Sequence, residues 1–180
     1  GNWVLQIVAQ GYALPFIETP PAMPPSQDRM SEEHFVLLQQ EVLALLAKGA
    51  IEMVPPSEVG HGCYSRYFLI PKKGWTPPSN FDLRPLNAFL RKEKFKMLTL
   101  AQVLSALDPG DWMVALDLQD AYFHIPILQA HRQYLRFKIG QEHFQFKVLP
   151  FGLTSVPRML MKVLAVVAAH LRRSGVSVFP

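Results

Sequence analysis

Hydrophobic residues recur at helical spacing in two stretches of this chain, 31–49 and 155–175. Ser31 is placed to cap the start of the first stretch, and Gly49 follows its last apolar turn. The second stretch begins after a turn with two prolines, reaches about residue 173 and meets Gly175. The pattern therefore predicts two amphipathic helices, each with one stripe packed on a core.

Alternation of apolar and polar residues predicts strands in much of the remaining chain. The predicted strands are 51–54, 67–70, 80–87, 112–118 and 176–180, and segment 134–148 is predicted as a hairpin that turns at Gly140-Gln141. A short helix is predicted for 99–107, with Thr99 near its start.

Residues 1–30 form a separate proline-rich segment. Its prolines are residues 15, 20, 21, 24 and 25, and they disfavour regular structure. We predict an irregular, extended arm. Two roles remain open for it: it lies across the domain, or it connects the domain to something upstream.

Composition places the chain among folded proteins. The 180 residues are 49% apolar and 18% charged, which suits one domain with a real core. A net charge of +4 is compatible with a nucleic-acid partner but does not require one. Cys63 is the only cysteine, which excludes a disulfide framework and a multi-cysteine zinc site, and we expect it to be a small buried residue.

The apolar runs indicate whether the protein crosses a membrane, and the chain ends indicate whether the sequence is a fragment. The longest apolar run, 163–169, is far shorter than the roughly 20 residues that cross a bilayer. We expect an intracellular protein, in cytoplasm or nucleus, with no membrane partner. The start at Gly1 and the strand-like last residues suggest a fragment of a longer product.

Asp117 interrupts a strand that is otherwise apolar on both faces, 112–118. A carboxylate in a buried strand costs several kcal/mol unless a basic side chain, a backbone N–H or a metal ion compensates it. Asp120 and Tyr122 follow, and then Pro126. For a lone Asp, a structural ion pair or cap is the favoured interpretation; a metal site is the functional alternative.

Basic residues are concentrated in three places. Lys72 and Lys73 lie at the tip between two predicted strands, and the outer face of hairpin 134–148 carries Arg136, Lys138 and Lys147. The third group surrounds Phe95 and comprises Arg91, Lys92, Lys94 and Lys96. Each group is either an ordinary solvated surface or a contact for phosphates, and the interleaved aromatic ring suits a nucleic-acid strand.

Four motifs in order, 64–73, 82–87, 115–126 and 149–157, resemble those of a reverse transcriptase. The sequences of these motifs most resemble those of retrotransposon polymerases of the DIRS type, followed by those of the gypsy type. The resemblance implies an α+β fold in which an antiparallel sheet is backed by helices. It assigns 31–110 to the fingers with the start of the palm and 111–180 to a partial palm, in which the Asp117 strand is central and the 134–148 hairpin lies near it.

The resemblance also implies a role for individual residues. Asp117 would supply a carboxylate and Leu118 a carbonyl to Mg²⁺, and the amides near Asp120 and Ala121 would meet the nucleotide triphosphate. Tyr122 would lie under the sugar, where its ring disfavours a 2′-hydroxyl. The remaining implied nucleotide contacts are Lys72, Lys73, Phe151 and Gly152. The implied partners are a primer–template, deoxynucleoside triphosphates and the rest of the polymerase chain.

Two departures from the family pattern bear on activity. No aspartate follows Asp120, so the second carboxylate pair, Tyr-x-Asp-Asp, is absent from this sequence. The fingers motif also has Thr76 near the position of a usual arginine. We expect no polymerisation by this chain alone, and RNase H activity would belong to a longer parent. The alternatives are a non-catalytic nucleic-acid-binding remnant and an inert fragment that does not fold.

Overall fold

The computed structural model describes residues 2–26, 30–69 and 79–180. Its helices are α1 (Asn2–Gln10), α2 (Glu32–Ala47), α3 (Arg84–Asn87), α4 (Leu100–Leu104) and α5 (Val156–Arg173). Its strands are β1 (Ile51–Met53), β2 (Arg66–Leu69), β3 (Ser79–Asp82), β4 (Arg136–Ile139) and β5 (Glu142–Phe146). Short 3₁₀ turns cover Pro56–Glu58, Ala121–His124 and Gln129–Tyr134.

Two antiparallel sheets form the centre of the fold. One has the strand order β1-β5-β4, with Ile51 opposite Phe146 and Phe137 opposite Phe144. The other is the hairpin of β2 and β3, in which Tyr67 is opposite Phe81. Rings from both sheets meet in one core, where Tyr67 stacks on Phe137 with centroids 4.7 Å apart. The mixture of helices and antiparallel sheets confirms the predicted α+β class.

Several predicted elements are confirmed together with their local signals. Ser31 precedes α2, and its hydroxyl accepts the N–H of His34. Thr99 and Gln102 form a reciprocal capping box at the start of α4. Hairpin 134–148 becomes β4 and β5 and turns at Gly140, which has a positive φ. The signals at these sites act within a few residues, so the sequence displays them directly.

The prediction of an irregular arm over 1–30 is wrong for α1. The first proline is Pro15, so none disrupts a helix before that point, and the ammonium of Lys162 lies 5.9 Å from the Trp3 ring. Residues 11–26 are extended and lie across the domain, with bridges from Tyr12 to Ile127, from Phe16 to Leu90 and from Met23 to Cys63. The arm is therefore tied to three separate parts of the fold.

The predicted strand 80–87 is shorter than expected. It ends at Asp82, and α3 follows with Pro85 in its first turn. Proline has no N–H for a sheet ladder but fits the first turn of a helix, which explains the change. The predicted strand 176–180 is also wrong, because these residues pair with no strand in the described chain.

The largest difference concerns residues 112–118, which do not form a strand. No described strand pairs with them, and Trp112, Val114 and Leu116 are almost completely exposed. Asp117 is consequently exposed and lies outside any described sheet. The prediction that it lies in a buried, central strand is therefore wrong. An alternating pattern indicates a tendency to form a strand. A strand also needs a neighbouring strand to pair with, and the described residues supply none beside 112–118.

The described helices also bear on a membrane location. None of those in 2–26, 30–69 and 79–180 combines the length and the apolar content that crossing a bilayer requires.

Candidate nucleotide and nucleic-acid site

The centre of the candidate site is a contact between two sequence motifs. The ring of Tyr122 meets the ring of Phe151 edge to face, with centroids 5.0 Å apart, and Phe123 lies 6.0 Å from the same ring. Tyr122 is partly buried against the core, whereas Phe151 remains exposed. The structure therefore brings together two residues that the resemblance assigned to one nucleotide pocket.

Gly152 lies in the turn before α5, where this turn approaches the hairpin of β2 and β3. Its φ is +97°, and a Cβ at this position would lie 3.0 Å from the carbonyl oxygen of Phe81 in β3. Both features favour glycine, because an L side chain rarely adopts this φ and the approach to backbone leaves little room.

Asn87 connects the same two regions by hydrogen bonds. Its side-chain amide donates to the carbonyl of Gly152 over 2.8 Å, and its Oδ1 accepts the N–H of Thr154 over 3.0 Å. Asn87 ends motif 82–87, but the motif alone predicted no role for it. The only signal for these bonds in the sequence is the residue type, because an asparagine amide can both donate and accept hydrogen bonds. Whether a turn lies within its reach is decided by the fold.

Asp120 has a backbone conformation that few residues adopt. Its φ is +51°, the only positive φ of a non-glycine residue in the described chain. Its carboxylate forms an ion pair of 2.9 Å with Lys48, the residue at the end of α2. Lys48 also lies 5.9 Å from the Phe123 ring. Sequence reasoning missed Lys48, because no local pattern links it to Asp120.

Asp117 and Leu118 lie on the exposed segment 112–118. Mg²⁺ takes about six oxygen ligands, and two-metal sites use several carboxylates. Among residues 2–26, 30–69 and 79–180, no three His, Cys, Asp or Glu side chains lie close enough to hold a metal ion. Asp117 with one carbonyl is too small a donor set, so the described residues do not fit a two-ion site.

The basic group at 91–96 is open to solvent. Arg91, Lys92, Lys94 and Lys96 are all exposed, as is the Phe95 ring between them. The intervening Glu93 pairs with Arg158, so this carboxylate is already neutralised. The geometry is therefore compatible with a nucleic-acid contact, and Lys72 and Lys73 lie outside the described residues.

Arg136 contradicts both interpretations of the outer hairpin face. Its side chain is only 1% exposed, although Lys138 and Lys147 on the same face are half-buried. Arg136 donates to the carbonyls of Glu58 and His61 and to Gln145, and it pairs with the Glu58 carboxylate. This guanidinium fastens segment 56–61 to the sheet instead of facing water or phosphate.

Three further titratable groups of the described chain have structural partners. Two hydrogen bonds of 2.7 and 2.8 Å from Arg84 lower the pKa of Asp82. Cys63 is buried as expected, its thiol donates to the carbonyl of Pro21, and burial raises its pKa. Burial lowers the pKa of His131, whose Nδ1 accepts the N–H of Leu14.

Comparison with known families agrees with this arrangement of motifs. Residues 70–179 match the family model described as reverse transcriptase (RNA-dependent DNA polymerase), and the chain belongs to this family. The resemblance that the four motifs indicated is thereby confirmed at the level of the family.

The individual relatives include a viral genome polyprotein and a transposon polyprotein. The chain is 27% identical over 143 residues, 77% of its length, to the genome polyprotein of Petunia vein clearing virus (isolate Hohn). It is 26% identical over 89 residues, 49% of its length, to the transposon Tf2-3 polyprotein of Schizosaccharomyces pombe. The matched regions are 6% and 7% of those relatives, so the chain spans only a small part of the curated proteins it resembles.

Proposed function

We propose that this chain supplies the fingers and the first part of the palm of a retroelement reverse transcriptase. In the complete enzyme it would bind a deoxynucleoside triphosphate and a primer–template for template-directed DNA synthesis. The observation that supports this most directly is the packing of Tyr122 on Phe151, beside a turn that Asn87 ties to the fingers. Family membership supplies the reaction class.

Each nucleotide contact in this proposal has a separate physical role. Tyr122 places an aromatic ring under the sugar, and Phe151 and Gly152 form the adjacent wall. The amides near Asp120 and Ala121 would donate hydrogen bonds to triphosphate oxygens, with Lys72 or Lys73 as additional cations. The division into fingers (31–110) and partial palm (111–180) belongs to the same proposal.

The family's divalent metal enters this proposal only through Asp117 and Leu118. When bound, Mg²⁺ stabilises the negative charge that develops in nucleotidyl transfer. Asp117 would contribute one carboxylate to the ions and Leu118 one carbonyl, and the remaining carboxylates must come from residues that this sequence does not contain. The 180-residue chain is accordingly proposed to bind substrates but not to polymerise them.

Discrimination between deoxyribose and ribose tests the proposed pocket. We expect the chain to bind dGTP about tenfold more tightly than GTP, equivalent to roughly 1.4 kcal/mol, because the Tyr122 ring excludes the 2′-hydroxyl. Tyr122→Ala should bind the two nucleotides equally, whereas Tyr122→Phe, which keeps the ring, should retain the preference. Isothermal titration provides the measurement, and equal binding of dGTP and GTP by the unaltered chain would contradict the proposal.

Primer extension tests the missing carboxylates. The purified chain with Mg²⁺, primer–template and all four deoxynucleotides should give no extension above background. Extension that requires metal and disappears in Asp117→Ala would show that one carboxylate pair is dispensable, contrary to the proposal.

A second candidate function, nucleic-acid binding without catalysis, is favoured by the exposed basic group at 91–96. Reversing the charge of Arg91, Lys92, Lys94 and Lys96 should weaken binding to single-stranded DNA. If each contacts a phosphate, the slope of log affinity against log salt should decrease by about 3. Lys162→Glu with Arg173→Glu is the control for the net charge of a matching twofold variant, Lys92→Glu with Lys94→Glu. An unchanged slope in the fourfold variant would exclude this group as the contact.

A further inference from the structure

Lys48 and Asp120 form an ion pair at the edge of the candidate nucleotide pocket. Their charged atoms are 2.9 Å apart, and the side chains are 45% and 31% exposed. Lys48 is the C-cap residue of α2, and it also approaches the ring of Phe123. The pair thus connects the helix after the arm with the motif that carries Tyr122.

The backbone around Asp120 forms a tight turn. Asp120 has φ +51° and ψ +40°, and its carbonyl accepts the N–H of Phe123 over 2.8 Å to begin the 3₁₀ turn Ala121–His124. The carboxylate of Asp120 is consequently close in sequence and space to the amides of Ala121 and Tyr122.

That carboxylate creates an electrostatic problem for the proposed function. A nucleoside triphosphate carries several negative charges, and like charges separated by a few ångströms repel one another by about 1 kcal/mol or more at a protein surface. An uncompensated Asp120 would therefore oppose phosphate binding at the neighbouring amides. The ammonium of Lys48 is placed to cancel this charge.

We propose that Lys48 is a positioning residue for the nucleotide triphosphate. It neutralises Asp120, so that the amides of Ala121 and Tyr122 present a positive potential to phosphate oxygens. This inference rests on the proposed function for the identity of the anion. It adds a residue that none of the four motifs includes.

Removing the two charges separately and together tests the inference. Lys48→Met should weaken dGTP binding to the 180-residue chain about tenfold, because Asp120 is left uncompensated. Asp120→Asn should tighten binding severalfold, since Lys48 is then free to attract phosphate and asparagine tolerates the left-handed backbone. The double variant should return to within about twofold of the unaltered chain.

This order separates charge compensation from a purely structural contact. A structural contact would make both single variants weaker and the double variant no better. Lys162→Met is the matched control, because Lys162 lies near the Trp3 ring and outside the proposed pocket. The inference would be overturned if both single variants bound dGTP more weakly, or if Lys48→Met bound dGTP with unchanged affinity.

A second measurement needs no nucleotide. Paramagnetic relaxation by an anionic and a cationic nitroxide reports the potential at the amides of Ala121 and Tyr122. The ratio of the relaxation caused by the anionic probe to that caused by the cationic probe should increase in Asp120→Asn and decrease in Lys48→Met. If the nitroxide series follows this order but dGTP does not bind, the nucleotide function fails and the role of Lys48 in compensating the charge of Asp120 stands. An unchanged ratio in Lys48→Met overturns that role even where dGTP binds.

Discussion

The guanidinium of Arg136 illustrates how a single buried charge is satisfied in this fold. Gln145 accepts its Nε–H over 3.0 Å, and the carbonyls of Glu58 and His61 accept from the same terminal nitrogen over 2.9 and 2.8 Å. The Glu58 carboxylate completes the set. A cation this well enclosed holds segment 56–61 through several bonds at once.

We expect Arg136→Met to lower the free energy of unfolding by about 3 kcal/mol, because the four acceptors of this guanidinium then lose a donor that is itself buried. Urea denaturation followed by circular dichroism provides the measurement. Arg84→Met is the matched control: this guanidinium also pairs with a carboxylate, but its side chain is 86% exposed, so stability should change little. Comparable losses in the two variants would show that burial of Arg136 is not the cause.

His131 gives the stability a dependence on pH. Its Nδ1 accepts the N–H of Leu14 over 2.9 Å, so the imidazole must be neutral, and burial lowers its pKa. The unfolded chain then takes up the proton first, and stability falls as the pH drops below about 6.5 and levels off below the pKa of the folded state. Burial also lowers the pKa of His143, so both residues contribute in the same direction.

We expect His131→Gln to reduce the slope of unfolding free energy against pH below about pH 6.5, by at most about 1.4 kcal/mol per pH unit. Part of the slope should remain because of His143. His170→Gln, on an exposed part of α5, is the matched control. A slope that is identical in both variants would argue against the Leu14–His131 bond as its source.

At the scale of elements, the turn that contains Gly152 determines how closely motif 149–157 approaches β3. Two glycines with nearly the same φ allow this contact to be measured. Gly152 has φ +97° and would place a Cβ 3.0 Å from the Phe81 carbonyl, whereas Gly110 has φ +96° and open space around it. Strain is therefore common to both positions, and the close approach is specific to Gly152.

We expect Gly152→Ala to destabilise the chain by about 1 kcal/mol more than Gly110→Ala, because only Gly152 adds a contact with backbone to the strained φ. Thermal and urea unfolding of both variants give the comparison. Asn87 hydrogen-bonds to the same turn, so hydrogen exchange at Thr154 should also accelerate in Gly152→Ala. Equal effects of the two substitutions would mean that the turn can move away from β3.

At the scale of the whole molecule, the exposed segment 112–118 is the dominant irregularity. Its alternating apolar residues lie on the surface, with Leu116 87% exposed, while the aromatic core forms elsewhere. Contiguous apolar surface of this kind favours association with another chain. The segment therefore affects solution behaviour more than internal stability.

We expect Val114→Lys with Leu116→Lys to reduce self-association of the purified chain without lowering its unfolding free energy, because neither side chain is part of the core. Sedimentation velocity over a range of concentrations measures the first effect and urea denaturation the second. Val36→Lys, at a single exposed position on α2, is the control and should leave association unchanged. A clear loss of stability in the double variant would show that the segment packs internally.

Features that depend on neighbouring residues could be predicted from the sequence. The caps at Ser31 and Thr99, the hairpin turn at Gly140 and the turn before α5 were all predicted, because their signals operate within one turn of chain. The motifs likewise identified the family, because their order is a property of the chain. The resemblance implied nucleotide contacts for both Tyr122 and Phe151, and their rings are in contact, but their role in binding a nucleotide stays a prediction.

Features that depend on distant partners were decided only by the tertiary structure. The pairing of Lys48 with Asp120, the bonds of Asn87 to the pocket turn and the burial of Arg136 join residues far apart in the chain, and no local pattern encodes them. Segment 112–118 is the converse case, in which a local pattern predicts a strand that the fold does not form. Its sequence determines alternation, but a strand forms only where another strand supplies hydrogen-bonding partners, and the described fold places none beside it.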